Sequence, residues 1–405
     1  MLNNLIGLED ELRSCLFENI LPFWLDYGID SEHNGIHTCL DKKGRSFSEE
    51  KSVWMQGRGG WLFAYIANTF NPENRWISAS QTCVEFLRRY CIDPDDGRMF
   101  FSVSTTGLPF RKRRYFFSEL FYIMANAELF RCTGNEELLK EALKYHSLVV
   151  RMYRSQDYDP YKVPAKFLSG FPAKKNLITT AMLMHVTSVL RNADQSNANT
   201  YLELENELKN EIIGSFYSRM YCVLLENVDE NGNYIKELSS GRIINIGHNF
   251  EVLWYLLDDS AGCQSQEYID WAAKCYKKTL EIGWDKDFGG FYTNLDLEGW
   301  PVPAFEADMK LWWVHTEAIN CAIRLFRITG DKSYYNDFKT FLSYAHNRFL
   351  DSQNGEWVAY LHRDGSKVHP ETKGNLFKGP FHVPRMYSET IKELITIRKN
   401  WTNNK

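Results

Sequence analysis

Apolar residues recur at helical spacing in twelve separate stretches of the chain, a pattern that predicts α-helices with one or more buried faces. Two of these stretches end in a Thr-Gly pair followed by Asn135 or Asp331, which can cap the helix that comes next. The pattern therefore predicts helices joined in pairs by tight turns. The stretches run over residues 5–25, 54–70, 74–91, 115–133, 135–153, 175–193, 198–218, 247–258, 265–283, 308–329, 331–350 and 380–399.

Strand-like segments that lead into glycine turns separate the helix pairs. The segments lie at 36–40, 99–103, 291–295 and 357–361. The turn glycines are Gly44, Gly107, Gly170, Gly232, Gly299 and Gly365, with Gly170 in the weakest turn, Leu168-Ser169-Gly170. Successive glycines are 63, 63, 62, 67 and 66 residues apart, and such a near-constant step indicates repeated supersecondary units. We therefore predict an all-α fold, an (α/α)6 barrel of six helical hairpins in a closed ring with short β-hairpins at one end, as one domain over residues 1–405.

Composition narrows the kind of protein without changing this picture. Charged residues make up 24% of the chain, hydrophobic residues 44%, and the net charge is −5, so we expect no nucleic-acid partner. No apolar run approaches the roughly 18 residues of a membrane span, and the N-terminus lacks the order of a signal peptide. The nine cysteines are scattered without a C-x-x-C pair, which is typical of reduced thiols in a cytoplasmic protein.

Six polar residues lie at nearly one phase of the repeat, 12 to 18 residues after a turn glycine. In a closed ring, residues at one phase face one axis, so we expect them to share a cavity at the hairpin end. The helix N-termini point their positive dipole ends at the same place, which favours a developing negative charge. The residues are Arg58, Glu119, His248, His315, Glu317 and His382.

A carboxylate near one of the histidines adds to this candidate site. Glu251 follows His248 by three residues, so the two share a helix face, and the carboxylate is expected to fix the imidazole tautomer and raise its basicity. The H-x-x-E spacing is also seen in metal sites, but a metal needs three or four ligands. We therefore expect no metal here.

Four segments resemble the N-acylglucosamine 2-epimerase family. They are Gln56–Trp61, Gly247–Glu251, Lys310–Ala318 and Phe377–Arg385, and the similarity runs in order from about residue 20 to 390. Related cellobiose 2-epimerases tend to have Gln in place of His315 and Asn after the terminal histidine. This chain has Val383 after His382, which favours the N-acetylhexosamine branch.

The resemblance implies an (α/α)6 barrel, a homodimer and the interconversion of N-acetyl-D-glucosamine and N-acetyl-D-mannosamine. It implies that His248 and His382 exchange the proton at C2 of the open-chain sugar as a pair of general acid/bases, with Arg58 and Glu317 at the other essential positions. ATP activates several family members without being consumed, so we expect no required cofactor and ATP at most as an activator. No Walker-type phosphate loop is present in the sequence.

The residue types suit this chemistry. Inverting a carbon beside an aldehyde needs a base on one face and an acid on the other, and histidines titrate near neutral pH. Arg58 is suited to stabilising the enediolate. We expect the remaining candidates to bind the amino sugar, the tryptophans by stacking. They are Glu119, Glu251, Trp312, Trp313 and Arg385.

Three other functions stay open at this point. An aldose–ketose isomerase, or a 2-epimerase of mannose or cellobiose, uses the same enediolate on the same barrel. A glycoside hydrolase or lyase would use Glu251 and Glu317 as its carboxylate pair. A non-enzymatic protein-binding module would use its aromatic groove or outer surface, and mammalian family members are also called renin-binding proteins.

Overall fold

Helices dominate the computed structural model, which describes residues 2–112, 115–154, 175–258 and 265–403. All twelve predicted helices are confirmed in this part of the chain. They are α1 Leu2–Ser14, α2 Val53–Thr69, α3 Asn74–Tyr90, α4 Phe117–Thr133, α5 Glu136–Arg154, α6 Leu177–Ala193, α7 Ala198–Glu211, α8 Ile246–Leu256, α9 Gln266–Gly283, α10 Trp312–Thr329, α11 Lys332–Arg348 and α12 His382–Asn403. Shorter helical pieces continue α1 through Cys15–Ile20, Leu21–Phe23 and Trp24–Gly28, continue α7 through Ile212–Phe216, and occur at Ser239–Arg242.

Alternate helices form two concentric layers. Helices α2, α4, α6, α8, α10 and α12 pack each against the next, and α12 returns to contact α2. These inner helices are buried over most of their surface, whereas an outer helix such as α3 or α5 buries one stripe only, as expected from its amphipathic pattern. The predicted (α/α)6 barrel is confirmed.

Short strands lie between the helices, and each predicted strand segment begins with an isolated bridge. The first residue of each segment bridges a residue just after the preceding outer helix: Ile36 to Ile29, Met99 to Ile92, Phe291 to Trp284 and Trp357 to Leu350. In the last three segments a strand begins three residues later, whereas segment 36–40 contains no strand and ends in a second isolated bridge, Leu40 to Ser46. The strands are β1 Glu50–Ser52, β2 Ser102–Ser104, β3 Pro109–Arg111, β4 Lys175–Asn176, β5 Tyr217–Ser218, β6 Val223–Leu224, β7 Asn227–Val228, β8 Ile243–Asn245, β9 Asn294–Asp296, β10 Met309–Leu311 and β11 Tyr360–His362.

Short β-hairpins flank turn glycines as predicted, for example β2 with β3 around Gly107, and most ladders also join neighbouring repeats, which the sequence did not indicate. The strand before one inner helix pairs antiparallel with a strand of the next repeat, as in β1 with β2, β4 with β7, β8 with β9 and β10 with β11. A bridge between Asp41 and Thr372 joins the last repeat to the first. These ladders satisfy backbone groups where the helix starts converge. Together with the packing of the inner helices, they close the ring.

The turn glycines confirm the repeat at five positions. Each has a φ between 80° and 93° and donates its N–H to the carbonyl oxygen three residues earlier, at 2.9 to 3.1 Å. This left-handed backbone favours glycine. The five are Gly44, Gly107, Gly232, Gly299 and Gly365. The sixth turn, Leu168-Ser169-Gly170, lies outside the described residues.

A recurring ion pair that the sequence analysis did not identify ties the layers together. An aspartate after an outer helix accepts backbone N–H bonds and also pairs with a lysine in the connection before the next inner helix. In the Lys51 and Lys310 pairs both side chains are buried, so each charge depends on its partner. The pairs are Asp30–Lys51 at 2.8 Å, Asp93–Lys112 at 3.1 Å, Asp285–Lys310 at 2.8 Å and Asp351–Lys373 at 3.2 Å.

Two further features bear on the class of protein. Among the helices of the described residues, none combines the length and apolar character needed to cross a bilayer. Eight of the nine cysteines are free thiols, and Cys263 lies outside the described residues.

Replacing the turn glycine Gly299 by alanine is expected to destabilise the fold by about 1–2 kcal/mol, because its φ of 80° puts a side chain in the left-handed region. A Cβ there meets no atom within 4 Å, so the loss isolates backbone strain. The matched control is Gly7→Ala in α1, which is equally open and is expected to stabilise by about 0.5–1 kcal/mol. Urea unfolding midpoints measure both changes. Equal shifts in the same direction for the two variants would contradict the left-handed backbone conformation of Gly299.

Candidate active site

His382 begins α12 and is fixed by a carboxylate of α10. Its Nδ1 lies 2.8 Å from Oε1 of Glu317, whose Oε2 accepts a 2.7 Å hydrogen bond from the indole N–H of Trp254. All three side chains are buried. A proton on Nδ1 that is donated to Glu317 leaves Nε2 as the basic nitrogen.

Arg385 lies one turn after His382 and joins two carboxylates. Its Nη2 donates to Glu251 Oε1 at 2.6 Å and to Glu317 Oε1 at 2.9 Å. Its Nη1 lies 2.6 Å from the hydroxyl of Tyr255, which donates to Glu251 at 2.7 Å. The guanidinium is 1% exposed, so Arg385 and Glu251, both predicted to bind substrate, lie in a buried network behind His382.

His248 lies in the first turn of α8, where its backbone N–H donates to the capping oxygen of Asn245 at 2.9 Å. Its Nδ1 is 2.8 Å from Oε2 of Glu226. This corrects the expectation that Glu251 holds this imidazole, since Glu251 is bonded to Arg385 instead. Glu226 belongs to the connection before α8, and no helical spacing relates it to His248, so the pattern gave no signal for it.

Trp313 brings the two histidines into one site. Its ring centroid lies 5.2 Å from that of His248 and 5.7 Å from that of His382. Gly247 permits this packing, because a Cβ at that position would lie 2.2 Å from the indole. Trp312 points elsewhere and packs edge-on against Tyr360 at 5.8 Å. Of the two tryptophans predicted to stack on the sugar, Trp313 therefore lies between the histidines and Trp312 lies in the core.

Arg58 approaches the site from α2 without a carboxylate partner in the described part of the chain. Its guanidinium carbon lies 4.3 Å from the ring centre of Phe121 and 4.7 Å from that of Phe381. Its Nη1 donates to the carbonyl of Phe377 at 3.3 Å, and its buried Nε has no hydrogen-bond partner. Burial lowers the pKa of Arg58 to about 10.

The structure places two of the six same-phase residues outside this cluster. Glu119 accepts hydrogen bonds from Arg98 Nε at 2.7 Å and from the Met99 N–H at 3.0 Å. His315 lies in the core, where Nδ1 donates to Leu311 O at 2.8 Å and Nε2 accepts from the Phe291 N–H at 3.0 Å. Burial lowers the pKa of His315 to about 3.

The reason is that phase counted from a turn glycine identifies the helical turn but not the helix face. Successive residues are rotated by about 100°. His315 precedes Glu317 by two positions, so their side chains point in nearly opposite directions although both lie in the first turns of α10.

The two site histidines have opposite electrostatic environments. Burial lowers the pKa of His248, but the carboxylate of Glu226 outweighs it and the net pKa is raised. Burial, Arg58 and Arg385 together lower the pKa of His382 well below its ordinary value. The two environments therefore favour the protonated form of His248 and the neutral form of His382, and in the described part of the chain neither Nε2 has a protein partner.

The same residues contain a geometry compatible with metal ligands. One ligand atom each from Glu251, Glu317 and His382 lies within 4.8 Å of the others. Arg385 Nη2 is hydrogen-bonded to both carboxylates and already supplies positive charge at that point.

The ring of helical hairpins, with a largely buried cluster of histidines, arginines and carboxylates at its strand-bearing end, defines an (α/α)6 barrel with a candidate active site at the starts of its inner helices. Residues 35–378 match the family model of N-acylglucosamine 2-epimerase (GlcNAc 2-epimerase), and the chain belongs to this family.

The relatives agree with this assignment. The N-acylglucosamine 2-epimerase of Bos taurus is 33% identical over 390 residues, covering 94% of this chain and 90% of that protein. The cellobiose 2-epimerase of Eubacterium cellulosolvens is 24% identical over 413 residues, covering 94% and 98%. The solved cellobiose 2-epimerase of Spirochaeta thermophila DSM 6192 superposes with a TM-score of 0.84 at 20% identity over 98% of each chain, which shows the shared fold. Because its relatives are epimerases, the chain is an isomerase acting on carbohydrates.

Glu226→Gln is expected to lower the pKa of His248, because the variant removes the negative charge that outweighs burial. NMR titration of the His248 ring protons measures the change directly. The surface variant Glu298→Gln, whose carboxylate lies beside Tyr221, serves as the control and is expected to leave the titration in place. An unchanged His248 titration in Glu226→Gln would contradict the assigned cause.

Proposed function

We propose that this chain interconverts N-acetyl-D-glucosamine and N-acetyl-D-mannosamine by removing and returning the proton at C2 of the open-chain sugar. The observation that supports it most directly is the pair of histidines on one indole, whose pKa values are shifted in opposite directions. Two groups whose environments push their pKa values apart are suited to act as acid and base. The 33% identity to N-acylglucosamine 2-epimerases supports the choice of sugar.

In one direction, Nε2 of the neutral His382 takes the C2 proton and the electron pair moves toward the C1 carbonyl oxygen. Nε2 of the protonated His248 then delivers a proton to the opposite face of C2. In the reverse direction the two exchange roles. Each turnover inverts both protonation states, so the histidines must re-equilibrate with solvent before the next.

The other side chains support these transfers. Arg58 has donors free for the oxygen that becomes negative in the enediolate, and such preorganised donors are a major source of catalysis. Glu317 orients His382, and Arg385 neutralises Glu317 and Glu251. Trp313 offers an apolar face for the sugar between the two histidines.

The competing functions fit these contacts less well. A hydrolase needs a protonated carboxylic acid, but Arg385 outweighs burial and lowers the pKa of Glu251. A ketose-forming isomerase needs only one base. That mechanism gives no role to the second histidine or to the carboxylate bonded to its Nδ1. A 2-epimerase of cellobiose would use the same residues, and lower identity is what disfavours it. We further propose a cytoplasmic homodimer that requires no cofactor, with ATP at most as an activator.

Single replacements of the two histidines by asparagine are expected to cut epimerisation by roughly 10²–10⁴-fold. In deuterated water, the wild type is expected to yield both N-acetylhexosamine epimers with deuterium at C2, as seen by proton NMR with and without ATP. Each variant retains one base, so His248→Asn and His382→Asn are expected to exchange the C2 proton of opposite epimers without inverting them.

The control is the surface variant His33→Asn, expected to turn over normally. Exchange of the same epimer by both variants would contradict the two-histidine mechanism. Conversion of mannose to fructose, or of cellobiose to its epimer, with no reaction of N-acetylmannosamine would move the function to the corresponding alternative.

The pH profile of kcat/KM is expected to be bell-shaped. Activity falls at low pH as His382, whose pKa is lowered, becomes protonated, and it falls at high pH as His248, whose pKa is raised, loses its proton. Glu226→Gln is expected to move only the high-pH limb, to lower pH. A shift of the low-pH limb instead would reverse the assignment of the two groups.

A further inference from the structure

Two arginines approach the site, and they differ in the groups that pair with their guanidinium charge. Arg385 is hydrogen-bonded to both Glu251 and Glu317. Within the described residues Arg58 has no carboxylate within ion-pair distance, and its polar contact is one long bond to the Phe377 carbonyl. A buried guanidinium beside a carboxylate cluster is expected to form an ion pair with it, so something keeps Arg58 from joining the network of Arg385.

Phe381 contacts both guanidinium groups. Its ring centre lies 4.3 Å from the guanidinium carbon of Arg385 and 4.7 Å from that of Arg58. The ring is 1% exposed and is fixed edge-on by Trp61 at 5.3 Å and by Phe121 at 5.7 Å. Since Phe381 immediately precedes His382, its position is also set by the start of α12.

Phe121 completes the environment of Arg58. The rings of Phe121 and Phe381 meet at 70°, and the guanidinium lies in the corner between them. Aromatic faces attract a cation without consuming its N–H donors. Gly57 permits this approach, because a Cβ there would lie 2.6 Å from Cβ of Phe121.

We propose that Phe381 is a positioning residue that separates the two arginines and, with Phe121, keeps the guanidinium of Arg58 unpaired so that its donors serve an anionic oxygen at C1 of the sugar. This inference rests on the proposed function and extends it to how the enediolate is recognised. Without the ring, the corner that holds Arg58 is open, and Arg58 is free to turn toward Glu317 or Glu251.

The test compares two open-chain inhibitors, 2-acetamido-2-deoxy-D-gluconate and N-acetyl-D-glucosaminitol. The first carries a carboxylate at C1 and the second a neutral hydroxyl, so the ratio of their inhibition constants reports an available cation near C1. The wild type is expected to prefer the anion, and Arg58→Met sets the value without the cation. Phe381→Leu is expected to approach the Arg58→Met ratio and to lose about tenfold in kcat, below the roughly 10²–10³ caused by loss of an oxyanion donor itself.

Two further variants separate positioning from packing. Phe381→Tyr retains the aromatic face and is expected to keep the wild-type preference for the anion, in contrast to Phe381→Leu. Phe63→Leu truncates an equally buried ring of α2 that stacks on Trp76, and it is expected to lower stability without changing the inhibitor ratio.

The outcomes separate the two proposals. A wild type that epimerises N-acetylhexosamines while Phe381→Leu keeps its preference for the anion would overturn this inference alone, as would a wild type with no such preference. A wild type that neither epimerises these sugars nor binds either inhibitor would overturn the proposed function and this inference with it.

Discussion

The buried guanidinium of Arg385 is the charge on which the rest of the site depends. Two carboxylates, Glu251 and Glu317, and one histidine converge in the apolar interior of the barrel, where unpaired charges are very costly. Arg385 makes that convergence possible by bonding both carboxylates through one nitrogen. Removing one partner of such a buried pair typically costs about 3–5 kcal/mol. The orientation of His382 therefore depends on a buried ion pair between Arg385 and Glu317.

The distribution of charged neighbours also explains why the pKa values of the two histidines are shifted in opposite directions. His248 faces one carboxylate that belongs to it alone, Glu226, and its pKa is raised. His382 shares its carboxylate with Arg385 and also lies near Arg58, so its pKa is lowered. Both imidazoles have a carboxylate at Nδ1, and burial together with the neighbouring arginines is what lowers the pKa of His382.

Backbone ladders and buried Asp–Lys pairs hold these groups at one end of the barrel. Four ladders join the strand before an inner helix to the next repeat, and the bridge from Asp41 to Thr372 joins the last repeat to the first. Because His248 and His382 lie in the first turns of their helices, fixing the helix starts also fixes the histidines. Rigid placement of this kind suits proton transfer, which depends on the distance between donor and acceptor.

The sequence by itself determined the repeat and therefore the fold. The glycine spacing and the helical periodicity gave twelve helices at nearly their observed bounds, because burial around a closed ring imposes one pattern on every unit. They also identified Arg58, His248, Glu317 and His382, which the structure brings to one end of the inner ring.

Only the tertiary structure decided which helix faces meet and which charges pair. It separated His315 and Glu119 from the site, and Trp312 from Trp313, because one or two positions on a helix rotate a side chain away from the cavity. It assigned Glu226 to His248, and it showed that most ladders join strands of neighbouring repeats. These contacts join residues distant in the chain, and local spacing contains no information about them.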